Sequence, residues 1–320
     1  MNRNLVTDPD FDDPHAYTLS KLYTLYRVDM SGLGNLSDIG YMGYPDPRFE
    51  SEKKGPYTPD FLSIGEMGDA QIIDVKGFEN IETYIDRRSD VEDKIKSVIE
   101  DLQKYQNVTP SMVADYLTLH DISYKPDHHE LVVLFPHEVY TKYESTVVST
   151  AESLGLRVWV LEENSVEHLW LAHGEHKNQT LTDHIERGSG RGIQVYQGGK
   201  DLIPFARDTD KDIVRFHFAA NITAYCSHER KLEFRFDEID DILVNKQRPQ
   251  MFSHLPASER EEIWRDCIRQ MRDRFNLVSR TTAINDTYEW EKKRFLKQPR
   301  DRYKILQDVG EELGVFDEDQ

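Results

Sequence analysis

Residues 58–77 read TPDFLSIGEMGDAQIIDVKG, and this stretch decides the fold of the first half of the chain. Two apolar runs, at 61–64 and 71–75, flank a turn-like segment at 65–69. Apolar runs of this length on either side of a turn predict two neighbouring antiparallel strands. The charges around them fit two interpretations. One is an ordinary hairpin with a solvated face, and the other is a group of carboxylates and a lysine that performs chemistry.

The second interpretation depends on where the charged residues lie along the two strands. Asp60 opens the first strand, and Asp74 and Lys76 lie near the end of the second. Residues two apart on a strand share a face, and adjacent strands lie about 5 Å apart, so these side chains can meet. Mg²⁺ prefers carboxylate oxygens as ligands and needs only one or two of them from the protein. A nearby lysine can orient or deprotonate the water that attacks the phosphorus atom of a phosphodiester. We therefore predict catalytic roles for Asp60, Asp74 and Lys76. Mg²⁺ or Mn²⁺ would be held by Asp60, Asp74 and the carbonyl of Val75.

Helices and buried strands follow this hairpin and complete the predicted fold of the first half. Apolar periodicity predicts helices at 16–28, 91–106 and 143–155 and buried strands at 129–140 and 156–164. The order is helix, two or three strands, helix, strand, helix, strand. A small mixed sheet with helices on its faces accommodates this order, so the predicted fold class is α/β.

The spacing of the charged residues, together with the order of elements, resembles a known superfamily. Pro59-Asp60 is followed, fourteen positions after Asp60, by Asp74-Val75-Lys76. This pattern is similar to the PD-(D/E)xK, or restriction-endonuclease-like, nucleases, which include type II restriction enzymes and Holliday-junction resolvases. The resemblance covers about residues 15–165. It implies a Mg²⁺-dependent DNA endonuclease in which Asp60 and Asp74 bind the metal and Lys76 is the catalytic lysine.

The chain departs from that superfamily pattern at one position. Many members add a glutamate from the first helix, but residues 16–28 contain none. Asp29 and Glu50 are the alternatives that the sequence offers. Gln103 and Tyr105 follow the motif, as a glutamine and a tyrosine do in some subfamilies. The missing glutamate favours a rival interpretation, in which the chain is a catalytically inactive nuclease-fold protein for DNA binding or assembly.

The second half of the chain has a different organisation. We predict a disordered N-terminus at 1–14, a nuclease-like domain at 15–175, a polar, glycine-rich linker at 176–200 and a second domain at 201–320. A helix is predicted at 258–275, with Ser258 as N-cap and Glu261 completing a capping box. Two strands around an Asn-Asp turn follow, and helices before such a hairpin suggest a winged helix-turn-helix. A nuclease followed by a winged helix also resembles the end-cleaving subunit of Tn7-like transposons.

Positive charge is concentrated in this second domain. Residues 264–304 carry 12 basic and 6 acidic residues. Arg265, Arg269 and Arg272 fall at i, i+4 and i+7 on the predicted helix, as expected of a helix that lies on DNA. The predicted nucleic-acid-binding residues are Arg265, Arg269, Arg272, Arg280, Lys292, Lys293 and Arg294. The alternatives are a solvated face paired with neighbouring carboxylates and a surface for a protein partner.

The overall composition limits the function classes. The 320 residues include 40 Lys plus Arg and 59 Asp plus Glu, for a net charge of -19, which argues against DNA binding by the whole surface. Such acidity fits an organism with a salty cytoplasm. With no long apolar run, no signal peptide and two distant cysteines, we expect a cytoplasmic protein outside the membrane. We also expect a homodimer or a protein partner.

Histidine and cysteine residues offer weaker candidates for a metal site. His168, His173 and His176 lie close together in the sequence, and Cys226 and His228 form a C-x-H pair. Neither group has a cysteine pair or the HExxH spacing of zinc sites. Buried structural or surface histidines are the simpler interpretation, and an RNA-processing nuclease is a further alternative to the DNA enzyme.

Overall fold

A computed structural model describes residues 14–26, 35–51, 55–65, 68–76, 88–120, 122–163, 167–186, 192–195, 205, 207, 209–246, 251–282, 286–291 and 299–314. The chain divides into two compact units. The described residues of the first unit lie within Asp10–Ile203, and those of the second lie within Pro204–Gln320. The predicted disordered segment at 1–14 falls, except for Pro14, outside the described residues.

The first unit contains a seven-stranded mixed sheet whose strands are neighbours in chain order. Its strands are β1 (Tyr41–Pro45), β2 (Phe61–Gly65), β3 (Asp69–Val75), β4 (His128–Pro136), β5 (Arg157–Glu163), β6 (Glu167–His173) and β7 (Ile193–Gln194). β3, β4 and β5 run parallel to one another, and every other pairing is antiparallel. The parallel pairs need crossover helices, which the intervening segments supply.

Helices cover both faces of this sheet. They are α1 (Pro14–Thr24), α2 (Arg88–Glu100), α3 (Pro110–Thr118), α4 (His137–Leu154) and α5 (Gln179–Glu186). Ile72 packs in the core formed with α2, α3 and α4, while Ile73 packs in the core formed with α1 and α5. All seven residues of β3 are buried, as expected of a strand covered on both faces. The α/β class with a mixed sheet between helices is therefore confirmed. None of the described helices is long and apolar enough to cross a membrane.

The segment predicted to be a linker, at 176–200, contains regular secondary structure in its described parts, 176–186 and 192–195. α5 and β7 lie within it, and the first compact unit continues to Ile203. Leu181 and Ile185 are fully buried against the sheet, because they fall on one face of α5. The helix has only eight residues. The polar residues around its short apolar stripe therefore account for the wrong linker prediction.

The second unit is mainly helical. Its elements are α6 (Lys211–Glu229), β8 (Glu233–Arg235), α7 (Phe236–Asp241), a π-helical turn (Ile242–Lys246), α8 (Ala257–Asp273), β9 (Val278–Thr282), β10 (Thr287–Trp290) and α9 (Pro299–Leu313). The three strands form an antiparallel sheet in the order β8-β10-β9. The predicted hairpin is present as β9 and β10, although Asn285 of the predicted turn lies outside the described residues.

The start of α8 corrects a predicted helix cap. Pro256 is the N-cap, and no side chain caps the helix there. Ser258 therefore lies inside the first turn, and the predicted capping box with Glu261 is wrong. Proline fixes its φ angle near the helical value and lacks a backbone donor, so it can start a helix without a capping hydroxyl. The apolar side chains of α8 fall on one face of the helix, where Trp264 and Met271 are buried.

A buried histidine in this unit makes its stability depend on pH. His217 on α6 is 5% exposed, and its ring lies 5.3 Å from that of Phe205 and 5.6 Å from that of Phe216. Its Nε2 atom has no hydrogen-bond partner within the described part of the chain. Burial lowers the pKa of His217 from 6.5 to about 4. Below pH 6.5 the unfolded chain therefore binds a proton that the folded chain does not bind until about pH 4.

We expect the second unit to lose about 3 kcal/mol of stability as the pH falls from 6.5 to 4, because the unfolded state binds more protons over this range. Urea unfolding of wild type and of His217→Leu, followed across this range, measures the loss. The variant should lack this part of the pH dependence. His228→Gln, which removes an exposed histidine, should behave as wild type. Parallel pH curves for wild type and His217→Leu would contradict the prediction.

Candidate active site

The two aspartates of the sequence motif lie opposite each other on neighbouring strands. Phe61 of β2 pairs with Ile73 of β3, so Asp60, one residue earlier, faces Asp74, one residue later. The Asp60 Oδ2 atom accepts a hydrogen bond of 2.6 Å from the backbone N–H of Val75. This bond fixes Asp60 against the end of β3, although Asp60 itself precedes the first residue of β2.

Lys76 completes the group that the sequence predicts. Its ammonium forms an ion pair with the Asp74 Oδ2 atom. Asp74 is 5% exposed, and the Lys76 side chain is 21% exposed. The alternation of side chains along β3 places both on the face that packs against α2 and α4. Asp60, Asp74 and Lys76 are therefore together at one edge of the sheet, where solvent reaches Lys76 and Asp60.

The environment of Asp74 favours an additional positive charge. Burial raises the pKa of Asp74, and the negative charge of Asp60 raises it further. Lys76 opposes both effects through its charge and its hydrogen bond, but the pKa remains raised. One lysine therefore does not fully neutralise the two carboxylates. A cation beside them would relieve their repulsion and the cost of burial.

A tyrosine that the sequence only weakly indicates also reaches this site. Tyr105 lies on a 3-10 helix, Asp101–Asn107, that continues from α2. Its single hydroxyl proton lies between two acceptors, the carbonyl of Thr58 at 3.0 Å and the Asp74 Oδ1 atom at 3.4 Å. Burial, together with the charges of Asp74 and Asp60, raises the Tyr105 pKa, so the phenol stays protonated as a donor. Gln103, considered beside Tyr105 in the sequence, is exposed.

The first helix contributes a histidine in place of a glutamate. His15 on α1 places its Nε2 atom 3.3 Å from the Asp60 Oδ1 atom. His15 lies one residue before the segment 16–28, where the superfamily pattern places a glutamate. This position is the only feature of the sequence that indicates a contact between His15 and the site. This contact holds His15 beside Asp60 at the edge of the site, but among the described residues His15 does not form a group of three metal ligands with the two aspartates.

The other candidates for a further acidic ligand do not join the site. The exposed Glu50 forms an ion pair with Arg48 at 2.7 Å. Asp29 lies outside the described residues. Val75 is 2% exposed, and its backbone N–H donates to Asp60. The role of its carbonyl as a metal ligand stays a prediction.

The donor set of the site fits a small, hard cation. Two carboxylates with repelling charges are the protein ligands that Mg²⁺ or Mn²⁺ requires, since Mg²⁺ keeps several waters of its own. In the described part of the chain, no group of three or more His, Cys, Asp or Glu side chains could hold a metal ion. A cage made entirely of protein ligands, as in structural zinc sites, is therefore not found there.

The predicted nucleic-acid-binding arginines of the second unit are partly paired with carboxylates. Arg265 contacts Glu261 at 2.6 Å and stacks on Phe236, and Arg272 contacts Asp273 at 2.6 Å. Arg280 on β9 forms an ion pair with Asp286, and Arg269 is exposed on α8. The remaining three, Lys292, Lys293 and Arg294, lie outside the described residues.

The histidine candidates do not form a metal-binding group among the described residues. His168 and His173 lie in β6, whereas His176 follows that strand and is buried against Glu130, with Nδ1 at 2.7 Å from Oε2. Cys226 is buried on α6, and His228 is exposed and paired with Glu229. These positions fit the interpretation of the residues as buried structural or exposed surface side chains.

No family model, curated protein or solved structure matches this chain. The case for a function therefore rests on the site itself, that is, on the residues at the end of β3 and the topology that places them there.

Proposed function

We propose that the first unit is a metal-dependent DNA endonuclease that hydrolyses phosphodiester bonds by a PD-(D/E)xK mechanism. The observation that carries this proposal is the meeting of Asp60, Asp74 and Lys76 at one edge of a mixed sheet. An antiparallel β2-β3 pair followed by parallel crossovers to β4 and β5 supports a restriction-endonuclease-like fold. Such an arrangement combines two metal-binding carboxylates with a cationic group that can face a phosphate.

The roles of the residues follow from their surroundings. Asp60 and Asp74, with the carbonyl of Val75, would hold Mg²⁺ or Mn²⁺, which supplies charge neutralisation at phosphorus and a more acidic water. Lys76, as an ammonium, orients and activates the attacking water, whose proton passes to solvent, and its charge stabilises the phosphoryl oxygens. Tyr105 holds the Asp74 carboxylate in place through its hydroxyl, which is itself anchored on Thr58.

We further propose that the second unit is a winged helix-turn-helix that binds DNA. Its order of helix, strand, two helices and hairpin, with the sheet order β8-β10-β9, supports this assignment. In that arrangement α8 would contact the duplex and β9-β10 would form the wing. The acidity of the whole chain requires that binding depend on a local basic surface, on a divalent cation, or on salt that screens the repulsion. A homodimer or partner protein would allow both strands to be cut.

A second candidate is a catalytically inactive protein that uses the nuclease fold for DNA binding or assembly. The absence of a third acidic ligand among the described residues favours it. Both Asp74 oxygens also have protein partners, Lys76 and Tyr105. The inactive protein would bind DNA without cutting it.

Plasmid cleavage distinguishes the two candidates. The full chain is incubated with supercoiled plasmid in Mg²⁺, in Mn²⁺ and with a chelator, and a parallel reaction uses RNA. Nicked or linear DNA that appears only with the metals supports the endonuclease. DNA binding without cleavage in either metal supports the inactive protein, and cleavage confined to RNA would reject a DNA enzyme.

Arg269, which is exposed on α8, provides a test of the second unit. We expect Arg269→Ala to weaken duplex binding and to reduce the slope of log Kd against log salt by about one, since one phosphate contact is lost. Arg272→Ala should have a smaller effect, because Asp273 already neutralises Arg272. Fluorescence anisotropy at several salt concentrations measures both. Equal slopes for wild type and both variants would show that α8 does not contact DNA.

A further inference from the structure

Residues 101–107, called here the rim, lie beside the candidate site, and of these only Tyr105 has a role in the proposed function. This 3-10 helix exposes Gln103, Lys104, Gln106 and Asn107 to solvent. Tyr105, in the same turn, is buried and points to Asp74 and Thr58. The helix is therefore anchored on the catalytic edge by one residue, and its neighbours in sequence form the adjacent surface.

The part of the rim that follows Asp101 has no carboxylate, although the first unit is rich in them. Between Asp101 and Asp115 the chain carries one lysine and no acidic residue. After the exposed Asp101 at the start of this helix, the exposed side chains of the rim are one ammonium and three amides, all of which can donate hydrogen bonds. Lysine, glutamine and asparagine are among the side chains that contact phosphate and sugar in protein–DNA complexes.

Lys104 is the charged member of the rim and lies close to the catalytic carboxylates. Its ammonium is 4.8 Å from the centroid of the Tyr105 ring, and its positive charge acts on Asp74. The backbone there is further held by the Asn107 side chain, which donates to the Lys104 carbonyl at 3.0 Å. The Lys104 ammonium therefore lies beside the site but does not take part in the ion pair of Asp74 and Lys76.

We propose that Lys104 binds a DNA backbone phosphate next to the one that is cleaved, and that the 101–107 rim positions the substrate strand. This inference rests on the proposed endonuclease function and assigns the rim the role of a substrate contact. Lys104 acts as a positioning residue, because its ammonium lies on the ring of Tyr105 and not in the ion pair of Asp74. The ligand is the phosphodiester backbone, so the contact carries no base specificity.

Equilibrium binding of a fluorescent duplex, measured by anisotropy without divalent metal at several salt concentrations, tests the contact independently of cleavage. We expect Lys104→Ala to raise Kd about 3- to 10-fold and to reduce the salt slope by about one. Lys104→Arg should restore both values. Lys125→Ala, which removes another exposed lysine of the same unit, should match wild type. Unchanged Kd and slope in Lys104→Ala would overturn the proposal.

Cleavage kinetics in Mg²⁺ separate this inference from the proposed function. Lys104→Ala should raise KM about 10-fold and leave kcat within about 2-fold, since a contact present equally in ground and transition states is lost. A fall in kcat with unchanged KM would overturn the proposal, because Lys104 would then act through Asp74. If wild type binds DNA with the expected dependence on Lys104 but never cleaves, the phosphate contact stands and the endonuclease function fails.

Discussion

Replacing Lys76 with methionine is expected to reduce DNA cleavage on the order of 10²- to 10³-fold, the effect of removing one preorganised group that stabilises developing charge. Methionine retains most of the side-chain volume and removes the ammonium that pairs with the Asp74 Oδ2 atom. The pKa of Asp74, already raised by burial and by Asp60, should rise further when this opposing charge is lost. The variant therefore loses both a catalytic group and part of the negative charge of the site.

Single-turnover cleavage of a labelled duplex in Mg²⁺ measures the effect, and anisotropy confirms that the variant still binds DNA. Lys96→Met is the matched control, because Lys96 is an exposed lysine on α2 that pairs with Asp93. It should cleave at the wild-type rate. Cleavage by Lys76→Met within about 3-fold of wild type would exclude the role that we assign to Lys76, since such a change is far below the effect of a catalytic group.

The loss in Lys76→Met should also depend on pH. In the metal-free protein Asp74 has a raised pKa, so a cation must compete with its proton, and cleavage at limiting Mg²⁺ should fall as the pH decreases. Removal of Lys76 moves this fall to higher pH, because the carboxylate loses the cation that favours its charged form. If the residual activity of Lys76→Met followed the wild-type pH profile, Lys76 would not influence the pKa of Asp74 in the active enzyme.

The central hairpin and its charged residues could be predicted from the sequence because they depend on local rules. Apolar runs predicted β2 and β3, and the period of two along a strand placed Asp74 and Lys76 on one face. Register between neighbouring strands then required Asp60 to face Asp74. These relations involve residues that are neighbours in sequence or in one hairpin, so no knowledge of distant packing was needed.

Other parts of the site depend on packing over long distances in sequence. Tyr105 reaches Thr58 across 47 positions, and His15 reaches Asp60 across 45, so periodicity gives no information on either contact. α3 was also missed, because its short apolar stripe follows the 3-10 helix without a strong signal. Polar composition concealed α5 and β7 in the segment 176–200, although Leu181 and Ile185 carry the helical period.

The supposed linker is held to the sheet by a buried charge, Glu130. Its side chain is 2% exposed and lies on β4. Its Oε1 atom accepts from the backbone N–H of Lys177 at 3.0 Å and pairs with the guanidinium of Arg157 at 3.0 Å. Its Oε2 atom contacts the Nδ1 atom of His176 at 2.7 Å. The Glu130 carboxylate therefore attaches the chain between β6 and α5 to the middle of the sheet, beside a bond from Arg157 of β5 to the Glu175 carbonyl.

The protonation of this network follows from its hydrogen bonds. The indole N–H of Trp159 donates to the His176 Nε2 atom at 2.9 Å, and an indole can only donate. The proton of a neutral His176 must then be on Nδ1, where it is donated to Glu130. Burial raises the pKa of Glu130, but the bonds from His176 and Lys177, with the charge of Arg157, lower it overall. Glu130 thus stabilises the fold above its unfolded pKa, and this contribution is lost as the pH falls through the lowered value.

Removing this carboxylate should have the largest effect on stability that we expect of a single substitution. Glu130→Ala leaves the His176 and Lys177 donors and the Arg157 guanidinium without their acceptor, at a cost of about 3 to 5 kcal/mol. Glu130→Gln, which keeps one acceptor oxygen, should lose less. Urea unfolding at pH 7 measures both, with Glu175→Ala as the control from the exposed part of the same loop. That control should remain within about 0.5 kcal/mol of wild type. A Glu130→Ala midpoint equal to that of Glu175→Ala would show that the network does not hold α5 and the segment before it to the sheet.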